Sequence, residues 1–313
     1  MRSIQEQTDR LLAEQRQEWP QLREHWDQLD AARVREFSFP GFRMQVQFNP
    51  KRIRSSAAKV DKASIARRAC FLCGENRPPE QRGVSFGDDF KILCNPFPIF
   101  RAHYTIVDRT HRPQVIDEEM DAFLDLSKAL PSLAVFYNAP ACGASAPDHL
   151  HFQAGNRGFM PVEADLEELR TRYGAVVPGP EGIRITAIDD GLRRFVVLES
   201  RDKSRIGEAF RPLSRHMRER SGGEEPMWNL LSYYEAGWRV LAFPRAKHRP
   251  WQYAEEGEKN ILLSPASVDM GGMLITPLEK DFLKMTEADI RDIFDQVCLN
   301  KEEFGAFLRA LQS

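Results

Sequence analysis

Two histidines and a glutamine on alternate positions are the residues of this 313-residue chain best suited to covalent chemistry: His149, His151 and Gln153. Alternate side chains of a strand share one face, which leaves Leu150 and Phe152 on the other, apolar face. A neutral imidazole is nucleophilic at pH 7, and a nearby amide donates a hydrogen bond to a phosphate oxygen. The pattern predicts that His151 attacks a phosphorus atom, with His149 and Gln153 as catalytic neighbours. The alternative, buried histidines bonded to carbonyls, is the weaker interpretation because a Gly/Ser/Pro-containing loop precedes them.

A Cys-x-x-Cys turn predicts a metal site. Cys70 and Cys73 are followed directly by Gly74, and two thiolates at this spacing fit around one metal ion. A tetrahedral zinc needs two further ligands, which we expect from His111 and His149, with His103 and Cys142 as alternatives. Such a zinc has a structural role, because it fixes the strand that carries the nucleophile. A redox pair and two buried apolar thiols remain the alternatives.

Basic and hydroxyl side chains supply candidate groups for a polyphosphate. Guanidinium, ammonium, hydroxyl and amide groups donate hydrogen bonds to phosphate oxygens. The expected nucleotide- and phosphate-binding residues are Arg52, Arg54, Ser55, Lys59, Asn95, Ser145, Arg245 and Lys247. A solvated basic loop is the alternative for the two basic stretches, and a cap on its own loop is the alternative for Asn95.

The composition excludes several classes of protein. Hydrophobic residues make up 42% and charged residues 29%, as in soluble globular proteins. A net charge of −2 offers no basic field for nucleic acid, and no apolar run reaches the length of a membrane span. The first residues lack the apolar core of a signal peptide, and five cysteines, an odd number, fit a reducing compartment. We therefore expect a cytoplasmic protein without nucleic-acid or membrane partners.

The remaining sequence predicts alternating strands and helices. Residues 3–33 have helical spacing interrupted at Pro20, and residues 37–48 alternate as a strand does. A helix over about 117–135 leads toward the histidine strand, and a closing helix covers about 286–311. Strand, strand and helix thus occur twice, which favours an α+β fold.

The same pattern suggests three parts of the chain. We expect an N-terminal helical segment at residues 1–33, a catalytic half at 34–175 and a second half at 180–313. The two halves are separated by a passage rich in Pro and Gly that begins at Val177.

Together these residues resemble the transferase branch of the histidine-triad (HIT) superfamily. That branch includes galactose-1-phosphate uridylyltransferase, diadenosine tetraphosphate phosphorylase and GDP-L-galactose phosphorylase, and its bacterial relatives are mostly domains of unknown function. The segment 149–153 is similar to the motif of GDP-L-galactose phosphorylase. The zinc ligands of the uridylyltransferase occur in the same order as Cys70, Cys73, His111 and His149. Further similarity to the phosphorylases lies at 229–231, 238 and 264–277.

The resemblance implies a HIT-like fold of two tandem halves that share one elongated sheet. It also implies a ping-pong nucleotidyl transfer in which His151 becomes nucleotidylated. Gln153 stands where the hydrolases have a third histidine, which implies transfer or phosphorolysis. The implied substrates are a nucleoside-diphosphate sugar or a dinucleoside polyphosphate, with phosphate or a sugar phosphate as acceptor. Relatives of this type often pair, which leaves the oligomeric state open between a monomer and a homodimer. No second metal is expected, because His216 and His248 are isolated. A HIT-type hydrolase and a non-catalytic nucleotide-binding protein of the same fold are the alternatives.

Overall fold

A computed structural model describes residues 2–53 and 60–312 of the chain. Over these residues, strands form one large and one small sheet. The strands are β1 (Arg33–Phe39), β2 (Phe42–Phe48), β3 (Gly83–Phe86), β4 (Phe90–Cys94), β5 (His103–Asp108), β6 (Leu133–Asn138), β7 (His151–Asn156), β8 (Gly174–Val177), β9 (Arg184–Asp189), β10 (Arg194–Ser200), β11 (Trp228–Tyr234), β12 (Trp238–Pro244) and β13 (Met273–Thr276).

Helices pack on both faces of the large sheet. They are α1 (Ile4–Glu18), α2 (Pro20–Asp27), α3 (Lys62–Arg67), α4 (Met120–Ala129), α5 (Pro161–Tyr173), α6 (Lys203–Arg220), α7 (Ser267–Met270), α8 (Glu279–Lys284), α9 (Glu287–Val297) and α10 (Lys301–Arg309). In the part of the chain that the structure describes, none of them combines the length and the apolarity needed to cross a bilayer.

The large sheet repeats one strand order twice. Its ten strands run β3-β4-β5-β7-β6-β11-β12-β10-β9-β8, so that β3–β7 and β8–β12 have the same arrangement. The two sets meet where β6 pairs antiparallel with β11. In each set a helix, α4 or α6, connects the third strand to the fourth along the chain. The structure confirms an α+β fold with antiparallel sheets, whereas the exact domain boundaries stay predictions.

Two apolar layers hold the sheet in place. On one face, Phe123 of α4 and Leu213 of α6 pack in the same core as Phe152 of β7. On the other face lie α5, α9 and the small sheet β1-β2-β13, whose Met44 shares a core with Phe136 of β6. Because Phe152 belongs to the first core, its neighbours His151 and Gln153 face the opposite side, as the alternation predicts.

Three predicted elements are shorter in the structure than in the sequence prediction. Residues 37–48 form the hairpin β1–β2, because Gly41 has a φ of 81° and allows a tight turn. The helix predicted to reach residue 135 ends at Ala129, just before Pro131, and β6 follows it. The closing helix is two helices, since Asn300 caps α10 by accepting from the N–H of Glu303.

Candidate functional site

Four side chains from separate segments converge beside the start of β7. Sγ of Cys70 lies 3.3 Å from Nδ1 of His149. Sγ of Cys73 lies 3.2 Å from Nδ1 of His111 and 3.5 Å from Nδ1 of His149. The four possible ligand atoms all lie within 4.8 Å of one another. These residues form a cluster that could hold a metal ion, and they are the four expected from the sequence.

The chemistry and spacing of this cluster fit zinc. Ligand atoms at zinc–sulfur and zinc–nitrogen bond lengths from a tetrahedral centre are separated by about 3.3–3.8 Å. Nε2 of His149 donates to the carbonyl of Asp108 at 2.8 Å, which leaves the lone pair on Nδ1 for a metal. When Nδ1 of His149 is protonated as well, the ring donates to Sγ of Cys70. Together with backbone amide donors, this outweighs burial, which raises the pKa of the Cys70 thiol, and brings the pKa down to about 6. The alternative ligand Cys142 lies instead in the core on the α4 face.

His151 is held in one tautomer. Its Nδ1 lies 2.8 Å from the carbonyl of His149, and because a carbonyl only accepts, Nδ1 carries the hydrogen and Nε2 the lone pair. Gln114 fixes the backbone here, since its side chain accepts from the N–H of His151 at 2.8 Å and donates to its carbonyl at 2.9 Å. Burial lowers the pKa of His151 to about 4, so the ring is neutral at pH 7. The arrangement is that of an oriented nucleophile.

Gln153 has a fixed amide orientation because its carbonyl oxygen is already bonded. The N–H of Ile99 donates to Nδ1 of His103 at 3.2 Å, so this nitrogen carries no hydrogen. Nε2 of His103 therefore donates to Oε1 of Gln153 at 3.1 Å. Burial, together with the charge of Arg52, lowers the pKa of His103 to about 3, so the ring stays neutral. His103 is thus not a reserve metal ligand; it turns the NH₂ group of Gln153 toward the cavity that this residue lines.

A cavity of about 660 Å³ runs along these residues. Near the Cys-x-x-Cys turn its wall is apolar, with Phe71, Leu72 and Phe97. Its charged lining residues are three arginines and one acid, which favours an anionic ligand: Arg52, Arg68, Arg249 and Asp269. The second half of the chain closes the cavity with His248, Arg249, Ser264, Ala266, Val268, Asp269 and Ile275. The site is therefore built from both halves.

Asn138, at the end of β6, is a cavity residue that sequence reasoning missed. Its Oδ1 accepts from the backbone N–H and the hydroxyl of Ser267, at 2.8 and 2.7 Å, and from Nδ2 of Asn229 at 2.9 Å. Asn229 is its register partner across the β6–β11 pair. Because this oxygen already accepts several hydrogen bonds, the amide nitrogen is the group of Asn138 that is suited to donate to a ligand in the cavity. The only signal in the sequence is an asparagine at the end of a strand, which is weak.

The expected phosphate-binding residues divide into three groups. Arg52, Asn95 and Ser145 line the cavity, and burial lowers the pKa of Arg52 only to about 10, so it stays cationic. Asn95 is also bonded within its own loop, since its Oδ1 accepts from the N–H of Phe97 at 2.9 Å. Lys247 is exposed and lies outside the cavity wall. Of the remaining four, three lie outside the described residues, namely Arg54, Ser55 and Lys59, and the fourth is Arg245.

Arg245 differs from the role expected for it. The side chain is fully buried, and each of its five N–H groups has an acceptor. The acceptors are Oδ1 of Asn229 and the carbonyls of Val297, Pro265, Lys247 and His248, at 2.6–3.2 Å. No N–H remains for a phosphate, so Arg245 instead positions the segments that carry Arg249 and Ser264.

The segment between β6 and β7, residues 139–150, is called the histidine loop here, and it lies against the second half at Gly143. This residue has a φ of 98°, and a Cβ placed on it would lie 2.5 Å from Cβ of Ala266. Only glycine combines the left-handed backbone with this close contact. The loop that precedes the catalytic strand therefore lies directly against residue 266, on the wall that also contains Ser264 and Arg249.

Two family models together match most of the chain. Residues 11–156 match "Domain of unknown function (DUF4922)", and residues 172–311 match "GDPGP1-like, C-terminal domain". A galactose-1-phosphate uridylyltransferase of Lactococcus lactis subsp. cremoris is 32% identical over 136 residues, which cover 38% of this chain and 27% of that protein. One of Pediococcus pentosaceus is 31% identical over 83 residues, which cover 26% of this chain and 17% of that protein. The chain thus spans about a quarter of the length of the first of these curated relatives and less of the second.

The fold has close counterparts among solved structures. Yeast Ap4A phosphorylase Apa2 in complex with AMP superimposes with a TM-score of 0.57 at 16% identity, over 89% of this chain and 96% of that chain. The same enzyme in complex with Ap4A gives a TM-score of 0.57 at 15% identity, over 88% and 96% of the two chains. The two family models, the uridylyltransferase relatives and the fold together support the HIT-like branch of galactose-1-phosphate uridylyltransferases, Ap4A phosphorylases and GDPGP1-like proteins.

Proposed function

We propose that this protein is a nucleotidyltransferase of the phosphorylase type that works through a nucleotidyl-His151 intermediate. Its substrate is a nucleoside-diphosphate sugar or a dinucleoside polyphosphate. The observation that carries the proposal is the single tautomer of His151, whose Nδ1 is bonded to the His149 carbonyl and whose Nε2 is left for a cavity lined with arginines. The relatives named uridylyltransferase and Ap4A phosphorylase support this class of reaction.

In the first step, the Nε2 lone pair of His151 attacks the α-phosphorus of the substrate. A P–N bond forms, and the bond from that phosphorus to the bridging oxygen breaks, so the leaving phosphate takes the electron pair. Nδ1 keeps its hydrogen throughout, because the His149 carbonyl accepts from it and stabilises the charge that develops on the ring. The amide of Gln153 donates to a non-bridging oxygen as negative charge builds there.

In the second step, an oxygen of the acceptor's phosphate group attacks the same phosphorus atom. A P–O bond forms, the P–N bond breaks, and its electron pair returns to Nε2 of His151. No proton has to move, because the acceptor attacks as an anion and the ring is neutral again once the P–N bond has broken. The low pKa of His151, caused by burial, suits this cycle because the free enzyme holds the unprotonated ring at neutral pH.

A structural zinc is part of the proposal. Cys70, Cys73, His111 and His149 would hold it, and it would fix the position of His149. The carbonyl of His149 in turn orients His151. Such a zinc supplies rigidity and no catalytic step, since the four protein ligands complete a tetrahedral site and leave no position for substrate.

Labelling of the protein tests the intermediate. The wild type, incubated with GDP-sugar or diadenosine tetraphosphate labelled at the α-phosphorus, should retain an acid-labile, alkali-stable label. His151→Asn should retain none, whereas His216→Asn, which changes a histidine outside the cavity wall, should label like the wild type. Equal labelling of His151→Asn would overturn the mechanism.

The product distinguishes phosphorolysis from hydrolysis. Turnover that requires phosphate and yields a nucleoside diphosphate supports the proposal, whereas phosphate-independent release of a nucleoside monophosphate indicates a hydrolase. Stoichiometric binding without product indicates a non-catalytic nucleotide-binding protein. The cytoplasmic location stays a prediction, and sedimentation of the purified chain distinguishes a monomer from a homodimer.

A further inference from the structure

The second half of the chain contributes one cation to the described cavity wall, Arg249. The first half supplies the nucleophile, the Gln153 amide and the apolar wall near Phe71. The second half adds the carboxylate of Asp269, but both its oxygens are bonded to backbone N–H groups, of Ala266 at 2.8 Å and of Ile275 at 3.0 Å. Asp269 is therefore committed to its own loop, and Arg249 is the group of the second half best suited to a charged ligand.

Arg249 is fixed in place by its surroundings. Its Nε donates to the hydroxyl of Ser264 at 3.1 Å, and its guanidinium carbon lies 4.0 Å from the centre of the Tyr253 ring. The backbone around it is also tied down, since Arg245 donates to the carbonyls of Lys247 and His248 at 3.2 Å. A cation held in this way loses little conformational entropy when it binds an anion.

Arg249 lines the same cavity as His151 and is linked to the histidine loop through Ser264 and Ala266. Ser264, its hydrogen-bond partner, precedes Ala266 by two residues, and Ala266 touches Gly143 of the histidine loop. Ser145 of that loop and His151 line the same cavity as Arg249. Because burial lowers the pKa of His248 to about 4, this neighbour adds no competing charge at neutral pH.

We infer that Arg249 is the binding residue for the phosphate group of the acceptor. This inference rests on the proposed function and assigns one of its two substrates to a residue of the second half. A guanidinium binds phosphate oxygens with two parallel hydrogen bonds, and partial burial strengthens the attraction. The acceptor oxygen attacks the α-phosphorus, the P–N bond to His151 breaks, and Arg249 holds the remaining acceptor oxygens. The bound group is inorganic phosphate or the phosphate of a sugar 1-phosphate.

Direct binding measurements test Arg249 without requiring turnover. Inorganic phosphate and glucose 1-phosphate are titrated separately into the full-length protein by calorimetry. Arg249→Gln should weaken binding by about 10- to 100-fold, the effect of losing hydrogen bonds to a charged group. Arg249→Lys should show an intermediate loss, because it keeps the charge without the bidentate geometry. The ligand whose binding depends on Arg249 identifies the acceptor.

Lys247→Gln is the matched control. It removes the same charge two residues away, on a side chain that is exposed and outside the cavity wall, and should leave binding within about twofold of the wild type. Unchanged binding by Arg249→Gln, an equal loss in Lys247→Gln, or no binding of either ligand to the wild type would overturn the inference.

Labelling of His151 separates this inference from the proposed function. If the label forms but phosphate binding is independent of Arg249, the inference fails alone. If binding depends on Arg249 but no label forms, the phosphate site stands and the covalent mechanism fails. Thermal unfolding of each variant at the wild-type temperature confirms that the comparison is made between folded proteins.

Discussion

The bond between His103 and Gln153 allows a quantitative test of amide orientation. In the structure, Nε2 of His103 donates to Oε1 of Gln153 at 3.1 Å, so the NH₂ group points away from His103. His103→Phe removes this donor and allows the amide to rotate by half a turn, which would present its oxygen to a phosphate. A neutral hydrogen bond contributes about 0.5–1.5 kcal/mol, so the ratio of correctly to wrongly oriented amide should fall about 3- to 10-fold, and the rate should fall in proportion to the fraction that stays correctly oriented.

Loss of Gln153 itself should cost more. Gln153→Met keeps the length of the side chain but donates no hydrogen bond, and removal of one such donor lowers a rate by about 10²- to 10³-fold. Because His103 acts through Gln153, the double variant should be no slower than Gln153→Met, within about twofold. Two independent roles would instead multiply the two effects.

Single-turnover formation of the labelled His151 adduct, measured by rapid quench, gives these rates. His103 is buried, and its loss leaves the N–H of Ile99 without its partner, so thermal stability should also fall. The rates are therefore compared well below the melting temperature of each variant. Full activity of His103→Phe, or a multiplicative double variant, would refute the positioning role.

Three further predictions concern the nucleophile, the metal cluster and the histidine loop. Protonation removes the Nε2 lone pair of His151, and the pKa of this ring is about 4. The rate of adduct formation should therefore stay constant from about pH 8 down to about pH 5 and fall below pH 4. A fall in rate centred near pH 6.5 would contradict this prediction. Cys70→Ser should lose zinc, thermal stability and adduct formation together, whereas Cys298→Ser, outside the cluster, should keep its zinc by metal analysis. Gly143→Ala should slow adduct formation at least about tenfold, because the added Cβ meets Ala266. Adding Ala266→Gly to this variant should restore only part of the rate in the same assay, because the strain of the left-handed backbone, about 1 kcal/mol, remains.

Residue types with short, regular spacing could be predicted from the sequence. Cys70 and Cys73 could hold one metal because the turn between them brings their side chains together, and the structure adds His111 and His149 to the cluster as expected. His151 and Gln153 share a face because a strand alternates. In each case the geometry is set by the local backbone, so distant parts of the chain do not alter it.

Contacts that depend on sheet register could not be predicted in the same way. His103 reaches Gln153 because β5 pairs with β7 so that residue 105 lies opposite residue 153. Nothing in either segment alone fixes that register. Arg245 and Arg249 stand in one basic stretch, and the sequence does not distinguish their roles. In the folded protein, four backbone carbonyls and Oδ1 of Asn229 accept from the five donors of Arg245, whereas Arg249 lies at the cavity.

The repeated strand order allows β7, which carries the proposed nucleophile, to be compared with its counterpart in the second half. In the second half, β12 occupies the place of β7, but it contains no histidine, and its Arg239 is bonded to Glu199 at 2.7 Å and to Tyr233. The guanidinium of Arg239 is therefore bonded to other residues of the second half.

The β6–β11 pair, called the seam here, joins the two halves and connects the two walls of the cavity. Asn229 of β11 lies opposite Asn138 of β6, and its amide bonds the Asn138 oxygen, while Arg245 holds the Asn229 oxygen at 2.6 Å. Arg245 also holds the carbonyls of Pro265 and His248, which belong to the cavity segments that contain Ser264 and Arg249. One buried guanidinium thus connects the amide beside the nucleophile to the loops on the opposite wall. Because these groups share one set of hydrogen bonds, the position of Asn138 relative to the segments that contain Ser264 and Arg249 depends on both halves, and so does the proposed acceptor site.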